Sequence, residues 1–136
     1  MKPFFVHLLV VVVLSLASCK GISTPLTDLN GSSWILTHIS SMPVLDGTHP
    51  TLSLRDGQAS GNGSCNSFGG EYILKGERLT FGPLMSTLMA CDPVEVMEQE
   101  QAFLSALGSA TQYNIKDDQL NIINADGNVV LTFSSP

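Results

Sequence analysis

The side chains able to do chemistry in this 136-residue chain gather in one short stretch, Gly61-Asn62-Gly63-Ser64-Cys65-Asn66, which sets a hydroxyl beside a thiol. A serine nucleophile at a strand-to-helix elbow needs the spacing GxSxG followed by a helix. Residues 61–65 lack the final glycine, and no helical pattern follows them. A catalytic thiol at Cys65 or Cys91 needs a nearby base, yet His7, His38 and His49 are all spaced away from both. The pair Gly61 and Gly63 is no phosphate cradle, since no basic residue stands near it and no helix begins there. Glu71 and Glu77 flank a turn and read as surface charges rather than an acid–base pair. With no CxxC spacing and no His ligand motif, a metal site is not indicated either. The chain is expected to be no enzyme, with no catalytic residues, no metal and no cofactor.

The surrounding elements alternate as β-structure. Residues 34–39 form a β-rich run, and residues 51–54 lead through Asp56-Gly57 into a return strand at 58–61. Residues 61–70, rich in glycine and small polar side chains, predict a loop with several positive-φ positions. Residues 71–74 and 78–81 pair across Lys75-Gly76-Glu77. One helix is signalled by Asp92 as cap, Pro93 at its first position and Glu95 as a capping-box partner. Its apolar stripe is Val96, Phe103 and Leu107, with Met97, Leu104 and Ala106 at the flanks, and Gly108 ends it. Glu100 falls near that stripe and is read as an edge residue reaching solvent. Three more strands follow, at 111–115, 120–124 and 129–133. The aromatic residues Trp34, Phe68, Tyr72, Phe81, Phe103, Tyr113 and Phe133 fall at core positions. The expected fold class is α+β: a curled antiparallel sheet, an incomplete barrel, of about seven to eight strands with one helix packed on it.

The N-terminus reads as an address. Lys2 precedes an apolar run over residues 4–14, and Leu16-Ala17-Ser18-Cys19 follows. The run is shorter than the ~20 apolar residues that a membrane-crossing helix needs, and its flanks are those of a secretory signal. The last four residues are similar to a bacterial lipobox. Residues 1–18 are therefore expected to be a lipoprotein signal peptide, Cys19 the lipidated residue, residues 19–29 a short tether and residues 30–136 the folded domain. Lipid at Cys19 is the expected membrane contact, because one anchor with several acyl chains holds firmly. A chain with 12 acidic against 6 basic residues is repelled by anionic headgroups. The same balance, with scattered Lys and Arg, argues against nucleic acid as a partner. Lys20 after the cysteine favours the outer membrane, facing the periplasm, if the host is Gram-negative. In that oxidising compartment Cys65 and Cys91 are read as a disulfide, with a metal pair, a catalytic thiol or two inert thiols as rivals.

Several segments together resemble a known family. Trp34-Ile35-Leu36, Cys65-Asn66-Ser67-Phe68-Gly69-Gly70-Glu71-Tyr72 with Gly61 and Gly63 before it, Leu79-Thr80-Phe81-Gly82, and Thr87-Leu88-Met89-Ala90-Cys91 are similar to the META domain. Its members include the HslJ-like heat-shock lipoproteins. The helix and the Asp126-Gly127 turn before residues 129–133 continue the match. The resemblance implies the curled-sheet fold, no known enzymatic activity, and a similarity of fold to certain secretion pilotins. Gly61, Gly63, Asn66, Gly69 and Gly70 are expected to form a structural loop, with the Asn66 amide holding local backbone groups. Ser64 departs from the family, many of whose members carry glycine there. The function expected is a lipid-anchored envelope protein, structural or stress-protective through an envelope protein partner. The alternative is a small half-barrel that takes an apolar or lipid-like ligand.

Overall fold

A computed structural model describes residues 29–136. The expected signal peptide, Cys19 and most of the tether lie outside the described residues. Ten strands and one helix follow in the order β1 (Ser32–Ile39), β2 (Met42–Pro43), β3 (Thr51–Arg55), β4 (Gln58–Asn62), β5 (Ser67–Lys75), β6 (Arg78–Phe81), β7 (Met85–Ser86), α1 (Val94–Gly108), β8 (Ala110–Lys116), β9 (Gln119–Asn124) and β10 (Val129–Ser134).

Most neighbours in the sheet are neighbours in sequence, as hairpins with tight turns require. The strand order is β10-β9-β8-β6-β5-β4-β3-β1, and β1 pairs back onto β10, with Leu36 opposite Phe133 and Ile39 opposite Leu131. Eight antiparallel strands thus close into a barrel, and β2 and β7 are short additions to β1 and β5. This corrects the expected incomplete barrel. The closing pair joins the two ends of the domain, a contact that local periodicity does not encode. One seam stays thin: β6 and β8 share the single pair Arg78–Gln112, supported by Tyr113 N donating to Glu77 O at 3.0 Å.

The alternation along β1, β3 and β9 turns Trp34, Leu36, Leu52, Leu54, Leu120 and Ile122 inward, all buried. An eight-stranded barrel leaves an interior about as wide as its own side chains, and here they fill it. Phe103 of α1 sits edge-on to Phe68 of β5, with centroids 5.5 Å apart, and to Phe133 of β10 at 6.1 Å. Three strands separate β5 from β10 in either direction around the barrel. A ring that reaches both therefore lies near the axis, and α1 plugs one end. Phe103 and Leu107 are fully buried there, as the apolar stripe predicts.

The start of the helix differs from expectation. Pro93 holds an extended conformation, φ −74° and ψ 158°, and so stands outside the helix at the cap position. Asp92 is consequently one residue too early, and no side chain caps the helix; Val96 N instead donates to Pro93 O at 3.1 Å.

Candidate functional site

The stretch predicted as a glycine-rich loop is mostly strand. Gly61 ends in β4, Gly69 and Gly70 lie in β5, and only residues 63–66 form the connection. None of Gly61, Gly63, Gly69 and Gly70 has a positive φ. Close approach is what excludes a side chain at three of them. A Cβ at Gly61 would strike Thr51 O, and at Gly70 it would come within 2.8 Å of Pro83 O. At Gly63 it would fall 2.5 Å from the Glu100 carboxylate. Gly69 faces only an ordinary contact with Ala59 O, at 3.5 Å. The residue that does adopt a positive φ is Ser64, at 90°, and its buried hydroxyl has no hydrogen-bond partner.

Glu100 is the residue that sequence reasoning placed wrongly. It lies one turn after Val96 and three residues before Phe103, on the apolar stripe itself, and is 6% exposed. A carboxylate buried there must be satisfied by other groups. Its Oε2 accepts from Cys65 N at 3.1 Å and from Asn66 N at 2.6 Å, and its Oε1 accepts from Asn66 Nδ2 at 2.7 Å. The bare backbone at Gly63 makes room for this approach. The signal was present in the sequence: an acidic side chain at a stripe position announces a buried polar network.

Asn66 passes the connection on. Its Oδ1 accepts from Met89 N at 2.7 Å and from Thr87 Oγ1 at 2.9 Å, while Nδ2 also donates to Met89 O at 3.3 Å. The amide thus holds a segment more than twenty residues away rather than the local backbone expected of it. The Cys65–Cys91 disulfide, spanning 26 residues, ties the end of the same segment. The helix plug, the barrel and residues 87–91 meet at one buried junction.

Outward from that junction the surface changes character. Residues 86–90 and the outer face of α1 border a groove of about 670 Å³, floored by Val94, Met97 and Leu104. Met85, Leu88, Met89 and Val94 are all more than half exposed, Leu88 almost completely at 95%. The charged residues of the lining are Glu98 and Glu100, with no Lys or Arg. Among the described residues no cluster of three or more His, Cys, Asp or Glu is placed to hold a metal ion. His38 lies in β1, exposed, while His49 lines a separate hollow with Ser64, Cys91 and Asp92 on the other side of the disulfide segment.

Fold and junction together define a small closed antiparallel barrel, plugged at one end by a helix whose buried carboxylate clasps Cys65 and Asn66. The chain belongs to the META domain family, whose model matches residues 27–136. Among solved structures it is similar to a protein from Burkholderia xenovorans determined by NMR, 30% identical with a TM-score of 0.65, covering 79% of this chain and 83% of that one. A second protein solved by NMR is 27% identical, with a TM-score of 0.63 and 79% and 91% covered. A DUF4847 family protein from Bacteroides vulgatus, 13% identical with a TM-score of 0.56 over 78% and 93%, shares the fold alone. No curated protein matches the chain.

Proposed function

We propose that this chain is a non-enzymatic envelope lipoprotein, anchored through Cys19, that acts by contact with another protein and protects the envelope under stress. The observation that carries the reading is how the chemistry-bearing residues are employed. Cys65 is bonded to Cys91, Glu100 spends both oxygens on the barrel, and Asn66 grips residues 87–89. What the molecule offers outward is apolar surface beside the plug, and surfaces of that kind mark interaction sites. The filled interior weighs against the half-barrel that takes an apolar ligand, because such a ligand would have to displace Leu52, Leu120, Leu131 or Phe133, all fully buried.

Two experiments test the reading. The intact mass of the membrane-extracted protein should equal residues 19–136 plus acyl chains, with two cysteines alkylated only after reduction. An unlipidated mass removes the anchor from the account. Deletion of the gene should sensitise cells to heat or to antibiotics that the envelope excludes; unchanged growth under those stresses removes the protective role.

A further inference from the structure

The exposed segment beside the plug has the hydrogen-bonding pattern of a sheet edge with one side paired. Met85 pairs with Gly69 and Ser86 with Phe68 in the β5–β7 ladder. Thr87 N donates to Ser67 O at 3.0 Å, and Met89 uses both its N–H and its carbonyl on the Asn66 side chain. In extended chain, the N–H and C=O of one residue point to one side and those of the next residue to the other. Residues 87–90 continue β7 outside the regular ladder, and the backbone groups of Leu88 and Ala90 have no partner among the described residues. Both residues line the groove against α1.

We propose that this edge takes an extended segment of another protein, which adds as a strand along residues 86–90 and lays alternate apolar side chains between the edge and α1. The proposal deepens the interaction reading above by naming the partner's chemistry. Unpaired backbone donors and acceptors at alternate residues call for another backbone, which a lipid chain does not supply. Leu88, Met89, Val94 and Met97 call for apolar side chains, and methionines let the floor adapt to several sequences. Glu98 at the groove, with no cation among its lining residues, favours a segment carrying Lys or Arg. The same charge disfavours a second copy of this chain, which would bring its own Glu98 to the groove. The Glu100–Asn66 junction and the disulfide hold the edge in place before a partner arrives, which lowers the ordering cost of binding.

The test uses the full chain purified in mild detergent and a fluorescein-labelled peptide of alternating Val and Thr with Lys at both ends, followed by fluorescence polarisation. Leu88→Ala and Leu88→Pro both remove the side chain, but only the proline removes the N–H. Leu88 makes no hydrogen bond within the described structure, so both variants should melt with the wild type. The expected result is saturable binding, with Leu88→Pro about tenfold weaker than Leu88→Ala, as loss of one backbone hydrogen bond requires. A peptide ending in Glu should bind more weakly than the Lys peptide, by a margin that shrinks in high salt. Equal affinities for the two variants would overturn strand addition, and equal affinities for the two peptides would overturn the cationic partner. Light scattering that shows a wild-type dimer dissolved by Leu88→Pro would assign the edge to a second copy instead. Binding of lipid vesicles that both variants retain, with no peptide binding, would assign the groove to lipid. None of these outcomes bears on lipidation, which the intact mass decides separately.

Discussion

Replacing Glu100 with alanine should be among the most damaging single changes in the domain, and the structure sets the size. The carboxylate is the acceptor for Cys65 N and Asn66 N, both buried, and for Asn66 Nδ2. The Asn66 amide keeps Met89 O as a second acceptor, so the substitution orphans two backbone N–H groups. Each buried unsatisfied donor costs about 1–3 kcal/mol. The expected loss is about 2–6 kcal/mol, a large part of the ~5–15 kcal/mol that holds a typical domain together. Glu100→Gln separates charge from shape. Its amide oxygen can serve the two backbone donors, but its NH2 then faces the Asn66 NH2. Asn66 cannot turn over to help, because its Oδ1 is committed to Met89 N and Thr87 Oγ1. The glutamine variant should therefore lose about 1–2 kcal/mol. Urea unfolding followed through the fluorescence of the single tryptophan, Trp34, measures both, with a lower midpoint at unchanged slope. An alanine variant within about 0.5 kcal/mol of wild type, or a glutamine variant worse than the alanine one, would refute the reasoning.

Other substitutions probe the same junction. Ser64→Gly removes both a positive φ on a residue with a Cβ, about 1–2 kcal/mol, and a buried unpaired hydroxyl. Against these stands about 0.4–1 kcal/mol of added chain entropy in the unfolded state. The variant should melt a few degrees higher, and a lower melting temperature would show that Ser64 is not strained. Gly63→Ala drives a Cβ into the Glu100 carboxylate and should destabilise the domain strongly. In the Glu100→Ala background the penalty should shrink, a coupling that a double-mutant cycle reads directly. Replacing Cys65 and Cys91 together with alanine should cost about 3–4 kcal/mol for a loop of 26 residues, seen as a lower urea midpoint. No loss would mean that the junction alone fixes the segment.

Much of this molecule could be read from its sequence because its determinants are local. The β-rich run of residues 34–39, the alternation in residues 51–54, the Asp56-Gly57 turn and the Phe103–Leu107 part of the helix stripe each depend on near neighbours, and each appears where its pattern sits. The disulfide followed from an even pair of cysteines in a chain read as exported. What escaped depends on distant partners. Barrel closure rests on β1 meeting β10, and β7 exists only because β5 offers it an edge. The glycines at 61, 63 and 70 looked like positive-φ loop positions because composition cannot tell a positive φ from a close approach. Glu100 looked like a solvent-facing flank because its three donors come from residues about thirty-five positions earlier. Asn66 was expected to serve its own loop, yet its partners lie in the Thr87–Met89 region that the same motif pattern had already singled out.

The central claim is that residues 86–90 form an edge held on one side by β5 and the junction and open on the other. Residue-resolved amide hydrogen exchange by NMR tests it most directly. The account predicts alternation: Thr87 and Met89 amides protected, Leu88 and Ala90 amides exchanging as freely as an unfolded chain, with Met89 protection lost in Asn66→Ala. Uniform protection, or uniform exchange across the segment in the wild-type protein, would contradict it.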